Sequence, residues 1–290
     1  MKWHRAGKRD LAQLLAFLLP QEWRAVPYTS RLRRLGRKAF PTALEASILM
    51  CKGDAQMQGT MMLTASGLLL PAFSNAAGLC PALPPPPFPG WRDLTFRLYS
   101  IMGPSAEVDW LKQQLPIIPV VGIDYHLMVQ NRISYSGALR ASLPCSPGLV
   151  VRTAYPRDLG ALLPLQIRYE LEEVVINKQR YSEQVCRQNL RRALRQQLVL
   201  MAELNGKVVA KAGTNARGFT VDQIGGVFTA ERVRNSGIAY RVMEELLRRI
   251  FAEKAAVCLF VKKTNLPALA LYKKLGFTVA DGYHICYFKT

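Results

Sequence analysis

The segment "VDQIGGVFTAERVRNSGIAYRVMEELLRRI", residues 221–250, changes its hydrophobic period once, and that change restricts the fold more than any other feature of the chain. "VDQIGGVFT" reads as a strand, and a polar turn follows it. Beyond the turn, Val242, Leu246 and Ile250, with Met243 and Leu247, build one apolar helical face, while Arg241, Glu244, Glu245, Arg248 and Arg249 build a wet one. Gly237 stands where this helix begins. The first turn of a helix has unpaired N–H groups and the positive end of the peptide dipole, so it binds phosphate wherever the backbone can come close. Glycine, with no Cβ, permits that approach. Gly237 is also compatible with a plain helix entry after Asn235 or Ser236, both good N-caps. The surrounding segments have to decide.

Around this unit the second half alternates strands and helices. "LVVRTA" is a strand, "YPRDLGALLPLQIRYELEEVV" a helix with a kink or break at Pro164, and "YSEQVCRQNLRRALRQQ" a second helix. "LVLMAEL" and "KVVAKAGTNA" are strands joined by Asn205-Gly206, a hairpin turn signal. "AAVCLFV" is an apolar strand with the composition of one buried on both faces. "NLPALALYKKLGF" is a short helix with Pro267 in its first turn and Gly276 at its end. "FTVADGYHICYF" is expected to close the chain as a hairpin around Asp281-Gly282.

This order resembles the GNAT superfamily of acyl-CoA-dependent N-acetyltransferases. "GGVFTAERVRNSGIA" stands where that family shows [Q/R]-x-x-G-x-[G/A], and "LFVKKTNLPALALYKKLGF" where it shows a strand, an Asn and then A-x-x-x-Y-x-[K/R]-x-G-F. Neither segment is specific alone, but their order and separation fit together over residues 150–288. The resemblance implies an α/β (α+β) fold, a mixed central sheet flanked by helices, over residues 148–290. It also implies N-acetyl transfer from acetyl-CoA, by direct attack of a primary amine in a ternary complex, with no metal.

The same resemblance assigns roles to residues. The amides of Asn235, Ser236, Gly237, Ile238 and Ala239 would cradle the coenzyme pyrophosphate, with Arg234 adding positive charge. Backbone groups of Val227 and Thr229 would pair with the pantetheine arm, and an N–H near Phe228 would polarise the thioester carbonyl. Tyr272 occupies the position that protonates the departing thiolate; the competing reading is a core tyrosine with its hydroxyl satisfied elsewhere. Asn265 would hold the coenzyme or simply cap the following helix. Lys262 and Lys263 can reach toward the ribose phosphate or lie on a solvated face. Asp222, on the central strand, is a candidate general base, with Glu172 and Glu173 as rivals that could instead bind a cationic acceptor.

Residues 1–147 lack both segments. "RDLAQLL" and "RDLGALL", beginning at Arg9 and Arg157, echo each other at the start of each half, and "MCKGDAQMQGTMMLTASGLLLPAF" reads as strands around a Gly-Asp turn. "SIMGPSAEVDWLKQQL" reads as strand, turn and helix. Where the phosphate loop would fall, "SNAAGLCPALPPPPFPGW" offers Asn75 in place of Arg or Gln, and its prolines preclude a long helix. The expectation is a smaller, degenerate GNAT-like αβ domain that binds no coenzyme and walls the acceptor site or makes a homodimer contact. Ser134–Gly148, rich in Ser, Pro and Gly, would be the linker.

Charge narrows the partners. The 290 residues carry a formal net charge of +19, with 16 basic against 8 acidic residues before Gly148 and 23 against 12 from there on. No block or tail concentrates it, and no nucleic-acid module signature accompanies it. A basic, non-catalytic binding module, for nucleic acid or ribosome-associated, or a coenzyme A-sensing regulatory protein, is the alternative on the same fold. Such charge disfavours polyamines as acceptors and favours neutral or acidic ones. The six cysteines form no C-x-x-C pair and no metal pattern with His4, His126 or His284. The amino terminus imitates a signal peptide, but Asp10 and Gln13 interrupt it; Leu11, Leu14, Leu15 and Leu18 recur at helical spacing, so a cytoplasmic protein with an amphipathic first helix and no membrane span is expected.

Overall fold

The computed structural model describes residues 1–36, 40–42, 45–53, 56–74, 83–86, 98–137 and 147–289. The strands of the first half are β1 (Lys2–Arg5), β2 (Ala46–Lys52), β3 (Met57–Thr64), β4 (Leu68–Phe73), β5 (Ser100–Pro104) and β6 (Val121–Asn131). Those of the second are β7 (Leu149–Thr153), β8 (Val199–Leu204), β9 (Lys207–Arg217), β10 (Val221–Thr229), β11 (Ala256–Lys262) and β12 (Thr278–Tyr287). The helices are α1 (Leu11–Leu18), α2 (Glu22–Leu35), α3 (Ser105–Gln114), α4 (Arg132–Gly137), α5 (Leu159–Tyr169), α6 (Glu183–Gln196), α7 (Ile238–Glu253) and α8 (Leu266–Lys274).

All twelve strands form one mixed sheet in the order β1-β2-β3-β4-β5-β12-β6-β11-β10-β9-β8-β7. Pairing is antiparallel except for β4 with β5 and β10 with β11. Read outward from its centre, the sheet repeats itself: β6 is followed by β11 to β7, and β12 by β5 to β1. The central strands are exchanged. β6 belongs to the first half of the sequence but lies between β11 and β12, while β12 lies between β5 and β6. The sheet therefore continues without a break across the expected boundary at residues 147 and 148.

This exchange corrects the expectation of a terminal hairpin. β12 is one strand, with a register irregularity between Val279 and Asp281. The Asp-Gly pair has other work: Asp281 pairs with Arg24 at 3.2 Å, and a Cβ at Gly282 would meet Ser105 Oγ at 2.7 Å. Helix α5 also differs from expectation, since it runs through Pro164 and ends in a π-helical turn, Glu170–Val174. In α2 a proline does act: Pro27 lacks the N–H for a helical bond, and the helix kinks at Ala25 (φ −124°, ψ 20°).

The wet and dry faces of α7 fall as its sequence pattern requires, with Val242, Met243, Leu246, Leu247, Ile250 and Phe251 buried against the second half of the sheet. In α1, Leu11, Leu14 and Leu18 are buried. A second set of buried polar groups ties the halves together. The carboxylate of Glu22, 1% exposed, accepts hydrogen bonds from the amides of Phe219, Thr220 and Val221 and from the Thr220 hydroxyl, at 2.6 to 3.2 Å. Arg24 lies 3.2 Å from Glu107, which is also buried. Cys51, Cys186, Cys258 and Cys286 are buried free thiols. Among the described residues no helix is long and apolar enough to cross a membrane, and no group of His, Cys, Asp and Glu is placed to hold a metal. Asn75, most of the proline-rich segment after it and most of the expected linker lie outside the described residues.

Candidate active site

Strands β10 and β11 are paired only from Val221 with Ala256 to Ile224 with Leu259. Beyond that point β11 continues beside β6, whereas β10 bends away at a bulge between Gly225 and Phe228. The bulge needs its two glycines. Gly226 has φ +63°, in the left-handed region, and a Cβ at Gly225 would overlap the Asn215 side chain. Lys211 of β9 donates a 2.7 Å hydrogen bond from Nζ to the Gly226 carbonyl and lies 4.3 Å from the centre of the Tyr169 ring. Burial pushes the pKa of this lysine down to about 7.

The separated strands leave a cavity of about 270 Å³, walled by Tyr125, Tyr169, Phe260, Tyr272 and Tyr287 together with Glu173 and Lys262. It shares Glu173, Val227, Asn265, Ala268 and Tyr272 with a cleft of about 470 Å³ that runs to the start of α7. There Val227, Phe228, Thr229, Arg234, Asn235, Gly237, Ile238 and Ala239 line the wall, so of the residues expected along the pantetheine arm and pyrophosphate all but Ser236 are cleft residues. Ser236 lies in the same turn, its hydroxyl donating to the Val233 carbonyl.

The turn is shaped for close approach. Asn235 and Gly237 have φ +63° and +78°, and among the described residues the amides of residues 235–240 donate no hydrogen bond. Arg234 is braced across the cleft: Nε donates to the Thr229 carbonyl at 3.1 Å, Nη2 lies 2.8 Å from Glu172, and the guanidinium sits 5.3 Å from the centre of the Phe228 ring.

Helix α8 delivers Asn265 and Tyr272. Asn265 caps the helix, its Oδ1 accepting from the Ala268 amide, while its Nδ2 donates to Glu173 at 3.2 Å. Tyr272 is 7% exposed, packs edge-on to Phe277, and makes no hydrogen bond among the described residues. Burial raises its pKa, so the phenol keeps its proton at neutral pH. Lys262 lies 3.3 Å from Glu173; Lys263 is exposed and lines neither cavity.

Asp222 is not brought to this site. It sits in the zipped part of the β10–β11 pair, opposite Val257, and is fully buried between Arg217 at 3.1 Å and Lys254 at 3.5 Å. Its side chain is committed to that ion-pair cluster, and neither cavity has it as a wall. Glu172 and Glu173 are placed differently from a free acceptor-binding pair, since they face Arg234, Lys262 and Asn265. Sequence reasoning missed Tyr125, Tyr169, Tyr287 and Lys211. Lys211 had a signal, because it is a lone cation inside the apolar strand "KVVAKAG".

Residues 166–277 match the family model described as Acetyltransferase (GNAT) family. The chain matches none of the curated proteins. Solved structures share its whole architecture. A Drosophila protein is 14% identical, with a TM-score of 0.67 over 98% of each chain. A GCN5-related N-acetyltransferase from Sphaerobacter thermophilus is 16% identical, with a TM-score of 0.57 over 98% of this chain and 94% of that one. A tandem GNAT protein from the clavulanic acid biosynthesis pathway is 11% identical, with a TM-score of 0.56 over 100% of this chain and 99% of that one. At these identities the likeness to the solved structures is one of fold.

Proposed function

We propose that this chain, a two-domain protein of the GNAT superfamily, transfers an acetyl group from acetyl-CoA to a primary amine. The observation that carries the reading is the junction of three features in adjoining cavities: an unpaired strand edge, a run of free amides at a helix start, and a protonated tyrosine between them.

Each feature fits one part of acetyl-CoA. The amides of residues 235–240, aided by Arg234, suit the pyrophosphate, because oriented N–H groups at the positive end of α7 stabilise anionic oxygen. The edge of β10 between Val227 and Thr229, left by β11, suits the amide-bearing pantetheine arm as an added strand. The bulge would present a backbone N–H near Phe228 to the thioester carbonyl.

The transfer balances without a covalent enzyme intermediate. The amine nitrogen attacks the thioester carbon, a C–N bond forms, the C–S bond breaks, and Tyr272 gives its proton to the leaving sulfur. The attacking nitrogen loses one proton, which leaves by way of solvent and the Glu173 carboxylate. Among the described residues Glu173 is the carboxylate lining the cavity between the strands. Once product leaves, that proton restores the phenol.

The direct test is release of free thiol from acetyl-CoA in the presence of a panel of primary amines, with mass analysis of the product. Acetylated amine and coenzyme A in equal amounts support the reading. Tight acetyl-CoA binding with no product from any amine would favour a coenzyme A sensor instead.

A further inference from the structure

On the other side of the reaction cavity lies a groove of about 590 Å³, formed where α2 and α6 approach β9. Its walls carry Arg31, Arg33 and Arg34 from α2, Arg192 from α6 and Arg217 from β9. Among the described residues no carboxylate lines it. It adjoins the cavity between β10 and β11, whose wall includes Tyr272, and Met102, Asn215 and Gln223 line both.

Part of this positive charge is already engaged. Arg217 pairs with Asp222 and with Glu253, both at 3.1 Å, Arg33 donates to the Arg217 carbonyl at 3.3 Å, and Arg31 donates to the Pro27 carbonyl. Arg34 and Arg192 are exposed and have no hydrogen bond or ion pair among the described residues. Burial, and after it the neighbouring Arg34, push the pKa of Arg31 down. Gln223 supplies an independent sign of a ligand. The residue is 5% exposed and lines both spaces, and its side chain has no hydrogen-bond partner among the described residues. An amide that reaches these spaces from a largely buried residue has both a donor and an acceptor to offer an occupant.

We propose that this groove admits the acceptor, and that the acceptor is a small primary amine bearing a carboxylate or phosphate group. Arg34 and Arg192 hold the anion, and the amine passes Asn215 and Gln223 to the thioester. This deepens the acetyl-transfer reading and rests on it. The two ligands then approach from opposite sides of the cavity between β10 and β11, with the acetyl group between them. The volume suits a small molecule, and a polycation such as spermidine is repelled by the wall that a small anion is drawn to. Guanidinium groups suit carboxylate and phosphate alike, because both accept two parallel hydrogen bonds.

The test uses matched amines with the full chain and acetyl-CoA: L-glutamate against L-glutamine, O-phosphoethanolamine against ethanolamine, and spermidine. The anionic member of a pair is expected to have kcat/KM higher by about tenfold or more, and the pair that shows it tells carboxylate from phosphate. In the R34E/R192E variant that ratio should fall to about one or invert, with the Kd of acetyl-CoA unchanged by calorimetry. Equal rates for neutral and anionic amines, or a ratio that survives charge reversal, would overturn the proposal. Should acetyl-CoA bind and no amine react, calorimetric titration with O-phosphoethanolamine and L-glutamate decides: absence of R34E/R192E-sensitive binding sinks the groove and leaves the coenzyme site standing. Failure of acetyl-CoA itself to bind counts instead against the acetyl-transfer reading. Salt-sensitive RNA binding lost in R34E/R192E and indifferent to both amines would also overturn it, in favour of a nucleic-acid surface.

Discussion

Lys211 Nζ donates to the Gly226 carbonyl at 2.7 Å, so a buried amine on one strand pins the bulge that separates the next strand from its neighbour. Replacing it by Met keeps the volume and removes the donor. Lys211→Met is expected to retain its fold while kcat/KM for acetyl-CoA falls by about tenfold or more, since the bulge then relaxes toward regular pairing. The pH dependence is also specific. Between about pH 7 and the ordinary lysine value of 10.5, the unfolded chain holds a proton that folded Lys211 has lost, so stability from this group rises with pH across that window. Melting curves from pH 6.5 to 10 should show the rise in wild type and its loss in Lys211→Met.

Tyr272 lines both cavities at their junction and has no other hydrogen-bond duty among the described residues. Tyr272→Phe should lower kcat by about 10²-fold or more with little change in the Kd of acetyl-CoA, as expected when a proton donor acts only in the transition state. Thiol-release kinetics and calorimetry on the same preparation separate the two quantities. An unchanged kcat would assign Tyr272 to packing alone.

Glu22 reaches from α2 in the first half to three consecutive amides between β9 and the start of β10 in the second. Glu22→Ala strips that cluster of its acceptor inside the protein, and the expected cost is about 3 kcal/mol. Urea unfolding should show one transition at a lower midpoint with an unchanged slope, because the exchanged strands make the halves cooperate. Two separate transitions in wild type would contradict that cooperation.

Burial raises the Glu107 carboxyl to a pKa of about 7, even with Arg24 at 3.2 Å. From the ordinary value of 4.5 up to about 7, the folded protein holds a proton that the unfolded chain has released. Stability from this group therefore falls as pH rises through that window. Glu107→Gln should flatten this part of the melting profile, and a parallel profile would refute the assignment.

The elements of the second half are legible in the sequence because their signals are local. The period of α7, the Asn205-Gly206 turn and the cap at Asn265 each need fewer than ten neighbouring residues to recognise. The exchange of β6 and β12 is not legible, because the pairing of Tyr125 with Tyr283 joins residues 158 positions apart and leaves no local mark. The same exchange explains the misread hairpin. Asp281-Gly282 has turn chemistry, but Arg24 and Ser105, both distant in sequence, determine it. Asp222 was misplaced for a related reason. Its position on the central strand is evident from sequence, whereas the point at which β10 parts from β11, two residues further on, depends on Gly225, Gly226 and Lys211 together. The turn before α7 is legible, since Arg234, Gly237 and the helix start lie within five residues.

On the proposed function, the turn before α7 and the adjoining strand edge receive acetyl-CoA. Calorimetric titration of the purified protein tests it most directly, beside Gly237→Glu, which sets a carboxylate among the free amides, with a melting curve to confirm that the variant folds. Arg234→Ala serves as a second variant, because it removes charge without altering the left-handed residue. Micromolar binding by wild type, abolished in Gly237→Glu and weakened in Arg234→Ala, is the predicted result. Absence of binding by wild type, or equal binding by a folded Gly237→Glu protein, would contradict the account.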